Sequence, residues 1–151
     1  MTDFIFNDGG RSAAGYKGFA GDCVVRAIAI ATGSDYQTIY KAIGKGAQEY
    51  AETHRGRVAR AILKKGASPR DGVFREVYHH YITQVLGWKW TPLMGVGTGC
   101  QVPLTEDELP AGRLILRLSK HLAAFIDGQL HDTYDCSREG TRCVYGYYAD
   151  K

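Results

Sequence analysis

Apolar residues recur at helical spacing through the first half of the chain. The run that follows Asp22 predicts a helix beginning at Cys23 and ending at Gly33, because glycine is favoured just past a helix C-terminus. Ser34 or Asp35 can cap a second helix. The apolar positions of that second helix, which recur at helical spacing, are Tyr36, Ile39, Tyr40 and Ile43.

The helical pattern continues to Gly87. A basic helix is predicted over residues 57–65, and Asp71 can open a fourth helix that Gly87 closes. The apolar stripe of the fourth helix consists of Val73, Phe74, Val77, Tyr78, Tyr81, Ile82, Val85 and Leu86. Residues 1–22 are interrupted by glycines and are expected to be irregular.

After Gly87 the apolar period changes from that of a helix to that of a strand. Strands are predicted over residues 88–91, 113–118, 122–126, 129–134 and 144–148. Asp127-Gly128 is a strong signal for a tight hairpin turn. Helices followed by antiparallel strands predict an α+β fold in one domain over residues 1–151, with a helical part at about 23–87 and a sheet part at about 88–148.

Composition and charge narrow the function classes. The chain has 151 residues, 44% of them hydrophobic and 23% charged, which is typical of a globular domain. A net charge of +3 does not favour nucleic-acid binding, and the basic residues within 54–70 are interpreted as a solvated surface. We expect no membrane association, because no apolar run approaches bilayer length. The N-terminal segment lacks the pattern of a signal peptide, so we expect a cytoplasmic protein.

The four cysteines are interpreted as thiols, because the chain shows no export signal. Cys136 and Cys143 are close enough in sequence to pair, and His131 lies near them. Their spacing matches no familiar zinc pattern, so neither a metal nor another cofactor is expected.

Cys23 stands at the predicted start of a helix, directly after a glycine-rich segment. The first helical turn leaves backbone N–H groups unpaired and carries the positive end of the helix dipole. Both favour a thiolate over a thiol, so Cys23 is a candidate nucleophile. The alternative is that Cys23 is a small buried apolar residue.

The predicted hairpin turn fixes the register of its two strands. With a two-residue loop at Asp127-Gly128, Phe125 faces Leu130 across the hairpin. Further along the same strands, Ala123 faces Asp132, and the pairing continues to His121.

This register puts His121 and Asp132 on the same face of the hairpin as diagonal neighbours, while His131 and Asp135 fall on the other face. A thiolate, an imidazole and a carboxylate are the groups that a thiol hydrolase uses. The sequence thus offers Cys23 as nucleophile, His121 as base and Asp132 as the residue that orients the ring.

The order of these residues resembles the papain-like cysteine peptidase superfamily. The segment KHLAAFIDGQLHDTYD (residues 120–135) is most similar to bacterial double-glycine-leader peptidase-like domains. The segments at residues 6–33 and 142–148 resemble uncharacterised phage and bacterial proteins. The resemblance implies a papain-like fold, with N-terminal helices packed on a C-terminal antiparallel sheet, and a peptide or protein as substrate.

The chain departs from the papain-like pattern at the oxyanion site. Papain-like enzymes usually carry a glutamine a few residues before the nucleophile, where Lys17 stands in this chain. The backbone N–H of Cys23 can supply one donor. Among Asn7, Lys17 and Asp22, Asn7 is the best candidate for a side-chain donor.

Three functions fit the sequence. The first is a cysteine hydrolase of the peptidase or isopeptidase type, which a phage or other mobile element could encode. The second is a catalytically silent papain-like scaffold that binds a protein partner. The third is an acyltransferase that uses the same three residues. The sequence does not indicate an oligomeric state.

Overall fold

The computed structural model describes residues 3–16, 21–94, 102–104, 109–137 and 142–150. Within these ranges the α-helices are α1 (Cys23–Thr32), α2 (Tyr36–Thr53), α3 (Arg57–Lys65) and α4 (Arg75–His80). The strands are β1 (Asp3–Phe6), β2 (Lys89–Pro92), β3 (Arg113–Leu118), β4 (His121–Ile126), β5 (Gln129–Asp132) and β6 (Gly146–Ala149). The predicted mixed α+β class is confirmed.

Local signals locate the first three helices correctly. Helix α1 begins at Cys23, and Gly33 ends it in the left-handed conformation with a φ of 71°. Helix α2 is capped by Asp35, whose carboxylate accepts a hydrogen bond from the backbone N–H of Thr38. Helix α3 covers the predicted basic segment.

The fourth helix is shorter than predicted. A single 3-10 turn covers Pro69–Asp71, and Gly72 then has a φ of 108°, which interrupts any helix begun at Asp71. The α-helix starts only at Arg75. It continues as a π-helical turn over Tyr81–Val85 before Gly87 ends the segment.

The sheet has the strand order β1-β5-β4-β3-β6-β2. The hairpin between β4 and β5 has the predicted register, with Phe125 paired to Leu130. Asp127 and Gly128 have φ values of 48° and 82°, the left-handed pair that a type I′ turn requires.

The expectation of an entirely antiparallel sheet is wrong, as is that of an irregular segment over residues 1–22. Strand β1 (Asp3–Phe6) lies at an edge of the sheet and pairs with β5 in parallel. All four β1 residues are exposed, so the strand has no buried face and no alternating pattern that reveals it.

The predicted strand at residues 144–148 begins two residues late. Val144 and Tyr145 donate backbone hydrogen bonds to Val102 and Arg117 instead of joining a continuous strand. Strand β6 therefore starts at Gly146, where pairing with β2 and β3 begins.

Helix α1 packs chiefly on β4 and forms the centre of the core. Its apolar residues Val24, Val25, Ile28 and Ala31 are all buried in one cluster with Ile115, Leu122 and Ala124 of the sheet. A second cluster includes the alternate residues Leu116, Ala123 and Phe125, together with Cys136. Among the described helices, none has the length and apolar character needed to cross a bilayer.

Candidate active site

Cys23 and His121 open onto one cavity at the end of the sheet. Cys23 is the first residue of α1, and His121 is the first residue of β4, the strand on which α1 packs. Both side chains line a cavity of about 930 Å³. The contact between helix and strand therefore brings together two residues that lie far apart in the sequence.

The His121 ring is held by the carboxylate of Asp132. Its Nε2 lies 2.6 Å from Asp132 Oδ2, across the hairpin that the register predicts. Burial of the ring disfavours the imidazolium. Hydrogen bonds to the Asp132 carboxylate and to two thiols outweigh burial and raise the pKa of His121 to about 12.

The Cys23 thiol is one of the two that contact the ring. Burial of the sulfur opposes ionisation, but the hydrogen bond and positive charge of His121 outweigh burial. A hydrogen bond from the backbone N–H of Leu122 acts in the same direction, so the pKa of Cys23 is lowered. A raised imidazole pKa beside a lowered thiol pKa favours a thiolate–imidazolium pair.

Asp132 is buried and has further partners besides His121. Its Oδ1 accepts a hydrogen bond of 2.7 Å from the backbone N–H of Thr133 and lies 3.5 Å from Arg26 Nη2. Burial opposes the carboxylate, but the hydrogen bond and charge of His121 outweigh it and lower the pKa of Asp132. Asp132 is therefore an anion that accepts hydrogen bonds.

A buried ionic network continues from Asp132 toward the start of α1. Arg26 contacts Asp132 with Nη2 and Asp22 with Nη1. Asp22 is only 1% exposed and also accepts from Tyr36, while Arg11 Nε lies 3.1 Å from it. The Asp22 side chain is thus occupied as an acceptor and does not act as an oxyanion donor.

Sequence reasoning missed Arg26, although two signals were present. Arg26 interrupts an otherwise apolar helix, and a charge in such a position requires a buried partner. It also stands four residues after Asp22, a spacing at which side chains meet on a helix.

Cys136 is the second thiol beside His121, and nothing in its sequence context indicates this. The donor atoms of His121, Asp132 and Cys136 all lie within 4.8 Å of one another. Burial raises the pKa of Cys136, which keeps it a neutral thiol. This trio could offer ligands to a metal ion, yet its nitrogen and oxygen are only 2.6 Å apart, closer than the separation of about 3.3 Å that two zinc ligands take.

Asn7 lies near the site, but its side chain is engaged elsewhere. Its Nδ2 lies 3.3 Å from His131 Nδ1, and its Oδ1 accepts from the backbone N–H of Gly9. Its backbone N–H donates to the carbonyl of Asp132, so Asn7 fixes the end of β5. Lys17, at the position where papain-like enzymes carry glutamine, lies outside the described residues.

Asp135 does not contact His121. Its Oδ1 accepts from the backbone N–H and the hydroxyl of Ser137, which stabilises the following turn.

The interpretation of all cysteines as thiols is wrong for Cys143, which is disulfide-bonded. Cys23 and Cys136 are free thiols, and Cys100 lies outside the described part of the chain.

In comparisons with known proteins, no family model, no curated protein and no solved structure matches the chain.

Proposed function

We propose that the protein is a papain-like cysteine hydrolase that cleaves a peptide, isopeptide or related amide. The observation that carries the proposal is the position of His121, which contacts the Cys23 thiol and also bonds to Asp132 at 2.6 Å. Nucleophile, base and orienting group are thus linked through one imidazole.

The contacts support a separate role for each nitrogen of the His121 ring. Nε2 of His121 is occupied by Asp132, so Nδ1 is the nitrogen available to Cys23. The Cys23 thiolate attacks the substrate carbonyl carbon and forms a tetrahedral adduct. The imidazolium then gives its Nδ1 proton to the leaving amine as the carbon–nitrogen bond breaks, which leaves an acyl-enzyme. Water, deprotonated by the neutral ring, attacks the acyl carbon and releases the acid and the thiol.

Two donors are candidates for the developing oxyanion. Cys23 is the first residue of α1, where backbone N–H groups have no partner within the helix. Tyr78 lines the same cavity, and burial raises the pKa of its hydroxyl, so the hydroxyl keeps its proton. The charge of Cys23 acts on this hydroxyl, which supports its proximity to the reacting sulfur. We assign the side-chain donor to Tyr78, since the amide of Asn7 contacts His131 and Gly9.

The first test asks whether Cys23 accepts an acyl group. With p-nitrophenyl acetate, we expect a burst of nitrophenolate and a single acetyl adduct on Cys23, detected by peptide mass mapping. Cys23→Ala and His121→Ala should both abolish the burst. Acetylation of Cys136 in preference to Cys23 would contradict the proposal.

The second test asks what the acyl-enzyme reacts with. A peptide library incubated with the wild type should yield new C-termini that are absent with Cys23→Ala. Products joined to an added amine would instead support acyl transfer. If the protein shows no nitrophenolate burst and binds peptides without cleaving them, the result would support a catalytically silent binding scaffold and overturn the hydrolase proposal.

A further inference from the structure

The cavity beside Cys23 has an excess of positive charge. The cations that line it are Arg11, Arg26, Arg75, Arg117 and Lys120, against the carboxylates of Asp8 and Asp22. Arg11 and Arg26 are both ion-paired with Asp22. The ion pairs with Asp22 leave Arg75, Arg117 and Lys120 as further positive charges at the cavity.

Arg117 is half-buried in the wall of this cavity. Its guanidinium carbon lies 5.9 Å from the ring centroids of both Trp90 and Tyr145. Among the described residues, no carboxylate or other acceptor bonds to this guanidinium. A guanidinium offers five N–H donors, and a half-buried one without an acceptor is suited to an anion that arrives from outside.

The fold fixes Arg117 in this position. Arg117 on β3 is paired in register with Gly146 on β6. The Trp90 ring fills the space above Gly146, where a Cβ atom would overlap it. The absent side chain at Gly146 thus leaves room for the Trp90 ring, which approaches the Arg117 guanidinium.

Arg75 contributes a second cation from another element. It is the first residue of α4 and is exposed at the cavity, with no ion pair to any described carboxylate. The charges of Arg117, Arg75 and Cys23 all act on the Tyr78 hydroxyl. The two arginines, Tyr78 and the nucleophile all line one cavity.

We propose that Arg117 and Arg75 form a subsite that binds a carboxylate of the substrate next to the scissile amide. This rests on the proposed function, because it names the class of substrate that the hydrolase takes. A peptide carries such a group as an acidic side chain or as its C-terminal carboxylate, and guanidinium groups match the planar geometry of both. The hydrolase thus acts on amides with a carboxylate close to the cleaved bond.

The test uses matched electrophiles that differ only in charge. The anionic probes are the chloroacetyl derivatives of glycine, β-alanine and γ-aminobutyrate, and the neutral probes are the corresponding amides. The rate constant for Cys23 alkylation is measured with each, and the ratio of acid to amide gives the anion preference. Wild type should prefer at least one of the acids, and added salt should weaken that preference.

The variants separate the subsite from the nucleophile. Arg117→Gln should lower the acid-to-amide ratio about tenfold, the effect of one charge-assisted contact; because the ratio is taken within each variant, any change in the amide rate is divided out. Arg75→Gln, at an exposed position that tolerates substitution, should lower the ratio in the same direction. Arg60→Gln on the exposed surface of α3 is the matched control and should keep the wild-type ratio.

A ratio that stays at the wild-type value in both Arg117→Gln and Arg75→Gln would overturn the subsite. If Cys23 reacts no faster than Cys136 with the neutral amides, the hydrolase proposal itself fails. The two failures are distinguishable because the neutral probes report on the thiolate alone.

Discussion

His121 Nε2 lies 2.6 Å from Oδ2 of Asp132, and the two residues occupy opposite strands of one tight hairpin. The turn at Asp127-Gly128 sets this relationship, because a slip of one residue would turn Asp132 to the opposite face. The imidazole is thereby oriented by a rigid element, with its second nitrogen free to serve Cys23.

Replacing Asp132 tests the role of the carboxylate. The Asp132 carboxylate fixes the His121 ring and raises its pKa. Asp132→Ala removes both effects, so the rate of Cys23 acylation should fall about 100-fold. Asp132→Asn keeps an oxygen acceptor, so its acylation rate should fall less than that of Asp132→Ala. Single-turnover reaction with an activated acyl probe measures the rate, and circular dichroism checks the fold.

Asp135→Ala is the matched control, since Asp135 is nearby in sequence but, among the described residues, its side chain bonds to Ser137 and not to His121. Its acylation rate should remain close to that of the wild type. Loss of activity in Asp135→Ala together with full activity in Asp132→Ala would refute the assignment.

The pH dependence of Cys23 alkylation tests the thiolate–imidazolium pair. The pKa of Cys23 is lowered below 9.0 and that of His121 is raised above 6.5, so the pair exists between these two shifted values. Reaction with iodoacetamide should therefore begin at a pH below that of an ordinary thiol. In His121→Ala the ring no longer offsets the burial of the Cys23 sulfur, so the pH at which alkylation begins should be higher than in the wild type.

Cys136 provides the internal reference for that measurement. Burial raises its pKa, so its alkylation should begin at higher pH than that of Cys23 in the wild type. Coincident profiles for the two cysteines would show that His121 does not activate Cys23.

The sequence predicts those parts of the site that depend on local rules. The start of α1 at Cys23 follows from an apolar run with a glycine at its end, and the pairing of His121 with Asp132 follows from hairpin parity. Both need only periodicity and turn chemistry, which act over a few residues. The meeting of Cys23 with His121 depends on how α1 packs on β4, and the sequence alone could suggest it only through family resemblance.

The parts that could not be predicted depend on contacts between distant segments. Strand β1 is exposed and carries no periodic signal, so its parallel pairing with β5 is a purely tertiary feature. Cys136 packs in the apolar cluster that contains no α1 residue, and no local pattern marks its approach to His121. Arg117 likewise becomes a candidate ligand for anions only when Trp90 and Tyr145 surround it.

The buried network around Arg26 predicts a large effect on stability. Arg26 is 8% exposed and neutralises Asp22, which is 1% exposed. Arg26→Met removes the cation shared by two buried carboxylates and leaves Asp22 with Arg11 and Asp132 with His121, so it should lower the free energy of unfolding by about 3 kcal/mol. Denaturant titration measures the change.

Lys45→Met provides the comparison, because Lys45 and Glu49 form an ion pair at the same helical spacing on the exposed surface. That substitution should change the free energy of unfolding by at most about 1 kcal/mol. A similar small loss in Arg26→Met would show that the network does not stabilise the fold.

Tyr78→Phe tests whether its hydroxyl stabilises the oxyanion of the proposed hydrolase. Tyr78 lines the cavity with Cys23, and no described residue accepts a hydrogen bond from its hydroxyl, so removing the oxygen leaves no buried partner unsatisfied. The fold should keep its stability, while the rate of acylation should fall about 100-fold, as for loss of one oxyanion donor. Alkylation by iodoacetamide forms no oxyanion and should continue at the wild-type rate. Acylation and alkylation measured together separate a catalytic hydroxyl from a packing role, because a packing defect would slow both reactions. Equal acylation rates in Tyr78→Phe and wild type would refute the role of the Tyr78 hydroxyl and favour the Cys23 backbone N–H as the oxyanion donor.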